Sequence, residues 1–149
     1  MENRYDKFTS LILSIYRSIQ KIKNMEMSDF GLKGNQVQCM FHLYENEKGK
    51  TLNELCALCF EDKGALSRSI KDLEDKGLVI QIESEKKYRN PYVLTEIGRE
   101  LGSKIVDLTI EMVNKGSDGI KFEKREEFYK NLSVVNKNLQ TVCNTYGKK

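Results

Sequence analysis

Residues 61–81, EDKGALSRSIKDLEDKGLVIQ, constrain the fold of this chain more tightly than any other stretch. Leu66, Ile70 and Leu73 recur at four and three, the spacing of a single helical stripe. Asp62 is a good N-cap for that helix, and Gly77 is a good stop, because glycine enters the left-handed region without a Cβ clash. The next residues, LVIQIES, lean toward β structure, so a helix must pass almost directly into a strand. Upstream, Thr51, Leu52, Asn53 and Glu54 have the spacing of a capping box, which starts a short helix at about Leu52 that carries Leu55, Cys56, Leu58 and Cys59. Downstream, the polar EKKYRN and the strand-like PYVLT complete a hairpin with a long loop. Pro91 has no amide to donate and suits the start of an edge strand, while Thr95 can cap the helix that follows.

Longer amphipathic helices flank this centre. Phe8, Leu11, Ile12, Ile15, Ile19 and Ile22 mark a first helix to about Asn24. Val37, Phe41 and Tyr44 lie on one side of a second helix, after Gly31 and Gly34. A fifth carries Ile97, Leu101, Ile105, Leu108 and Met112 and ends at KGSDG. A sixth shows Phe128, Leu132, Val135, Leu139, Val142 and Tyr146. With 149 residues, 39% apolar, 32% charged and one proline, the chain suits one helix-rich domain. It has no run of about 18 apolar residues, so no membrane span is expected. The polar start MENRYDKFTS lacks a secretory signal, which makes a cytoplasmic location the expectation.

The net charge of +3 is too small to name a partner, so its distribution has to. At 100° per residue the fourth helix turns Gly64, Arg68, Lys71, Asp72 and Asp75 outward, with Ser67 on the flank. Small and basic residues occupy its front and acids its rear. A helix entering the major groove wants that gradient: Gly64 and Ala65 permit close approach, Ser67 and Arg68 face base edges, and Lys63, Lys71 and the amide end of the helix meet phosphates. The hairpin tip adds Lys86, Lys87 and Arg89 around Tyr88, a loop able to follow the backbone or enter the minor groove. A solvated surface of mixed charge is the alternative for either feature alone. Together, two short helices, a turn and a basic hairpin have the order of a winged helix-turn-helix.

Through TLNELC, DKGALSRSIKDLEDKGLV and KKYRNPYVLTEIG, residues 51–98 resemble the DNA-binding core of the multiple antibiotic resistance regulator (MarR) family. The wing departs from the Asp-x-Arg pattern of many members and is a residue shorter. The resemblance implies a mainly α fold with a small β-hairpin wing. Residues 1–149 would form a single chain with its winged helix-turn-helix at 32–95 and long dimerisation helices at 1–31 and 96–149. It further implies a homodimer on a pseudo-palindromic double-stranded operator, with half-sites about 34 Å apart. Its role would be a repressor released by a small-molecule effector or an oxidant, with any effector bound in the cleft between dimer helices and winged domain. A winged-helix protein-interaction module that binds no DNA is the alternative.

The four cysteines, Cys39, Cys56, Cys59 and Cys143, fall in helical segments and read as free thiols. Cys56 and Cys59 form a CxxC, but a metal would want further ligands and the chain has only His42 to add, so inert buried thiols are expected and no cofactor. His42 reads as a structural residue. No nucleophile triad, phosphate loop or paired carboxylate motif appears, so an enzyme is not expected.

Overall fold

The computed structural model describes residues 4–84 and 90–146. The chain divides into two compact units, residues 1–109 and 110–149. In the first, helix α1 (Arg4–Met27) leads through a 3-10 turn (Ser28–Phe30) to α2 (Gly34–Tyr44), α3 (Leu52–Cys59) and α4 (Lys63–Asp75). Strands β1 (Val79–Gln81) and β2 (Tyr92–Leu94) follow, and α5 (Glu96–Gly116) begins. The end of α5 and helix α6 (Phe122–Tyr146) form the second unit. This is the expected mainly α architecture with a hairpin. Among the described residues, no helix is long and apolar enough to cross a membrane.

The core of the first unit gathers Val37, Met40 and Leu43 from α2, Leu55 from α3, Leu66, Ile70 and Leu73 from α4, and Val79 and Leu94 from the hairpin. The expected stripe of α2 was incomplete. Val37 is buried, but Met40, Leu43 and Cys39 are buried too, while Phe41 and Tyr44 pack half-buried at the edge. The reason is that α2 is covered by α1, α3, α4 and β2 together, so more than one flank is dry.

Local capping holds the short helices. The Glu54 amide donates to Thr51 Oγ1 at 3.3 Å and the Thr51 amide donates to Glu54 Oε2 at 2.8 Å, closing the capping box at the start of α3. That backbone bond holds the Glu54 carboxyl below its usual range. Gly77, with φ at +71°, lets the chain leave α4 for β1.

Antiparallel register pairs Val79 with Leu94, Ile80 with Val93 and Gln81 with Tyr92. Lys50 also bridges Tyr92, its amide donating to Tyr92 O at 3.0 Å and the Tyr92 amide donating to Lys50 O at 2.8 Å. Pro91 therefore opens a strand with partners on both sides, not a bare edge strand. Thr95 ties the hairpin to α5: its amide donates to Leu78 O at 3.0 Å, its hydroxyl donates to Gly77 O at 2.7 Å, and the same hydroxyl accepts the Gly98 amide at 3.0 Å. A Cβ on Gly98 would stand 2.0 Å from Leu78 O, so α5 can approach β1 this closely only at a glycine.

That approach sets the facing of α5. Gly98, Leu101, Gly102 and Ile105 turn inward, and Ile97, one step of 100° away, is exposed. Ile97 thus falls outside the buried stripe it was expected to begin. In the second unit the Ser117 hydroxyl donates to Val113 O at 2.8 Å, and Arg125 reaches Ile120 O at 3.2 Å and Ser117 O at 3.3 Å, which closes the turn before α6. None of the described residues of α6 is buried: Leu132 and Val135 are half-covered, and Phe128, Leu139, Val142 and Tyr146 are open.

Candidate nucleic-acid interface

The start of α4 is fixed by its own cap. The Ala65 amide donates to Asp62 Oδ1 at 2.9 Å, so the carboxylate takes one of the amides that would otherwise face outward. The apolar side of the helix, Leu66, Ile70 and Leu73, is fully buried in the core.

A polar seam to α2 sets the roll of α4. Asn35 Nδ2 donates to the hydroxyl of buried Ser69 at 2.7 Å, and the Gln36 amide donates to the Asp72 carboxylate. Gln36 itself is buried, where an unpaired amide would be costly, so this bond matters to packing. Asp72 was expected among the outward acids. Its side chain is half open to solvent and is held by Lys76 and Gln36, which lower its carboxyl below the usual range, the Lys76 contact contributing most.

With the roll fixed, Lys63, Gly64, Ser67, Arg68 and Lys71 are all exposed on one side, and Ala65 is half-buried beside them. A Cβ on Gly64 would lie 3.3 Å from Asp62 Oδ1 and 3.7 Å from Arg68 Nη1, so the bare glycine leaves space over which the guanidinium lies. Glu74 and Asp75 are exposed at the far end. The charge gradient along the rod is present, with Asp62 an acid at its front whose oxygen is occupied in capping.

At the stem of the wing, Gln81 Nε2 donates to Asn90 O at 3.2 Å and the Ser84 amide donates to Asn90 Oδ1 at 3.0 Å. Lys86, Lys87, Tyr88 and Arg89 lie outside the described residues. Beside the hairpin, an open groove of about 390 Å³ has an apolar floor of Phe30, Leu78, Ile97 and Leu101, with Lys76, Glu100 and Lys104 at its rim.

Three residues escaped sequence reading. Asn35 and Gln36 reach partners 34 and 36 residues away, and no local spacing announces such a seam. Phe60, in the turn between α3 and α4, adopts a left-handed φ of 55° and is 82% exposed. Its position directly after the last turn of α3, where a glycine is usual, was the available signal.

The family model described as MarR family matches residues 30–89. No curated protein matches the sequence. Similar solved structures include the transcriptional regulator SlyA, at 22% identity and a TM-score of 0.81, covering 89% of this chain and 93% of that one. The S. aureus MepR–DNA complex matches at 19% identity and a TM-score of 0.78, over 88% and 97%. A Listeria monocytogenes protein complexed with 26mer DNA matches at 24% identity and a TM-score of 0.82, over 88% and 87%.

Proposed function

We propose, from the match of residues 30–89 to the MarR family model, that this protein is a homodimeric transcriptional regulator that binds duplex DNA through α4 and the wing. The observation that carries the proposal is the open front of α4: Lys63, Gly64, Ser67, Arg68 and Lys71 are exposed together while the opposite side anchors the helix. Ser67 and Arg68 face base edges in the major groove, with Gly64 and Ala65 permitting the approach. Lys63 and Lys71 meet phosphates, and the amides not taken by Asp62 add to them. Lys86, Lys87, Tyr88 and Arg89 extend the contact along the backbone. Two of the similar folds were solved with DNA, which supports this use of the surface.

The dimer is formed by residues 1–31 and 96–149, around a DNA-binding core at 32–95. The exposed Leu11, Ile12 and Ile15 of α1 and Leu139 and Val142 of α6 support this, because such stripes are stable in water only when covered. The protein acts as a repressor by occupying its operator. A small-molecule effector relieves it, and the groove bounded by Phe30, Leu101 and Lys104 is a candidate seat.

A gel-shift titration with the DNA upstream of the protein's own gene, against unrelated competitor, tests the reading. Affinity should fall about a thousandfold or more between roughly 50 and 200 mM salt as phosphate contacts are screened. Arg68→Ala should lose about 1–3 kcal/mol of specific affinity with an unchanged melting temperature. Salt-insensitive binding, or an Arg68→Ala variant with intact sequence preference, overturns it in favour of the protein-interaction module.

A further inference from the structure

Cys39 on α2 and Cys59 in the last turn of α3 are 20 residues apart in sequence, yet their sulfurs meet at 3.7 Å. Cys39 is completely buried, whereas Cys59 is half-buried, so solvent reaches one member of the pair and not the other. Lys23 of α1 faces the same site. Its ammonium donates to Gln38 Oε1, and Gln38 Nε2 lies 3.0 Å from His42 Nε2, which fixes the lysine from behind.

The proton sits unevenly on the two sulfurs. The contact with Cys59 and burial push the Cys39 thiol strongly up, so it keeps its hydrogen. Donation from that thiol pulls Cys59 down, with Lys23 adding to the effect, against burial and the Glu61 carboxylate. The thiolate is the nucleophilic form of cysteine, so the reactive member is the accessible one and its protonated neighbour is already in contact.

We propose that Cys39 and Cys59 form a modification site at which hydrogen peroxide oxidises the pair to a disulfide linking α2 and α3. The Cys59 sulfur attacks a peroxide oxygen, forming an S–O bond and breaking O–O; the departing hydroxide takes up a proton and leaves as water. Cys39 sulfur then attacks Cys59 sulfur, forming S–S and breaking S–O, and the Cys39 proton leaves with the oxygen as a second water. Two thiols lose two electrons, and one peroxide becomes two waters. The sulfurs must close from 3.7 Å to about 2.0 Å. Cys59 is well placed to move, because the chain leaves the helical conformation at the next residue, Phe60. If α4 reads DNA as proposed, the bond forms four residues before that helix, but the thiol chemistry does not depend on the DNA reading.

The full chain treated with a slight excess of hydrogen peroxide, alkylated and digested without reductant, should yield one peptide pair joined through Cys39 and Cys59, reversed by dithiothreitol. Cys59→Ser should abolish that pair. In Cys39→Ala, dimedone should trap a sulfenic acid on Cys59 several-fold faster than on Cys143, which is exposed on α6 and serves as the reference. Because Cys39 is buried and its replacement can unfold the chain, the wild-type peptide map decides independently. Links through Cys56 or Cys143 in place of the predicted pair, or labelling of Cys59 no faster than Cys143 in a folded variant, overturn the proposal.

Discussion

Helices α4 and α6 carry apolar residues at the same three-and-four spacing, yet they meet different fates. In α4, Leu66, Ile70 and Leu73 have no more than 1% of their surface in contact with solvent. In α6, Phe128, Leu139, Val142 and Tyr146 remain open, with exposures from 42% to 73%. Burying a leucine-sized side chain contributes about 1.5–3 kcal/mol. One stripe has been covered by its own chain and the other has not. Periodicity therefore reports that a face needs a cover, and it is silent on what supplies the cover.

The largest expected effect tests this contrast directly. Leu66→Ala should cost about 2–5 kcal/mol in urea unfolding, through lost burial and the cavity left behind. Leu139→Ala, on the open stripe, should change the unfolding free energy of separated copies by no more than about 0.5 kcal/mol. Leu139→Asp should shift sedimentation toward the single chain, and a mass unchanged from wild type would mean that α6 does not supply the dimer cover.

Backbone fit should matter next. Gly98→Ala places a methyl group against Leu78 O and should cost about 1–3 kcal/mol by denaturant melt. A smaller loss would show that α5 can slide away from β1. In the opposite direction, Phe60→Gly should raise stability by about 1 kcal/mol, since glycine accepts the left-handed φ of 55° without strain and the exposed ring loses little packing. A net loss would show that the ring is held by something its exposure does not suggest.

The smallest effect is electrostatic. Burial, more than any other cause, holds His42 below its ordinary range. As pH falls below about 6.5 the unfolded chain binds the proton first, so this contribution is full above that pH and is lost as pH drops through the lower folded value. The melting temperature of wild type should fall over that window slightly more than that of His42→Gln. Parallel curves would mean that His42 is as well solvated folded as unfolded.

The features legible in the sequence act over three or four residues. Asp62 capping Ala65, Thr51 exchanging bonds with Glu54, and Thr95 accepting from Gly98 are all at i and i+3, where helix geometry alone brings partners together. The exposed front of α4 followed from the same local periodicity. Expectations failed where a second element intervened. Met40 and Leu43 joined Val37 in the dry interior because four elements cover α2, and Ile97 left its stripe because Gly98 docks on Leu78.

The sequence by itself determined the order of elements, the caps that bound them, and the small, basic character of the first turns of α4, because each depends on neighbours along one rod. Only the tertiary structure decided which stripes are covered, how α4 is rolled against Asn35 and Gln36, and that Cys39 finds Cys59 and not the nearer Cys56. Those outcomes depend on packing between segments tens of residues apart, where a few ångströms settle which side chains touch and no periodicity along the chain records it.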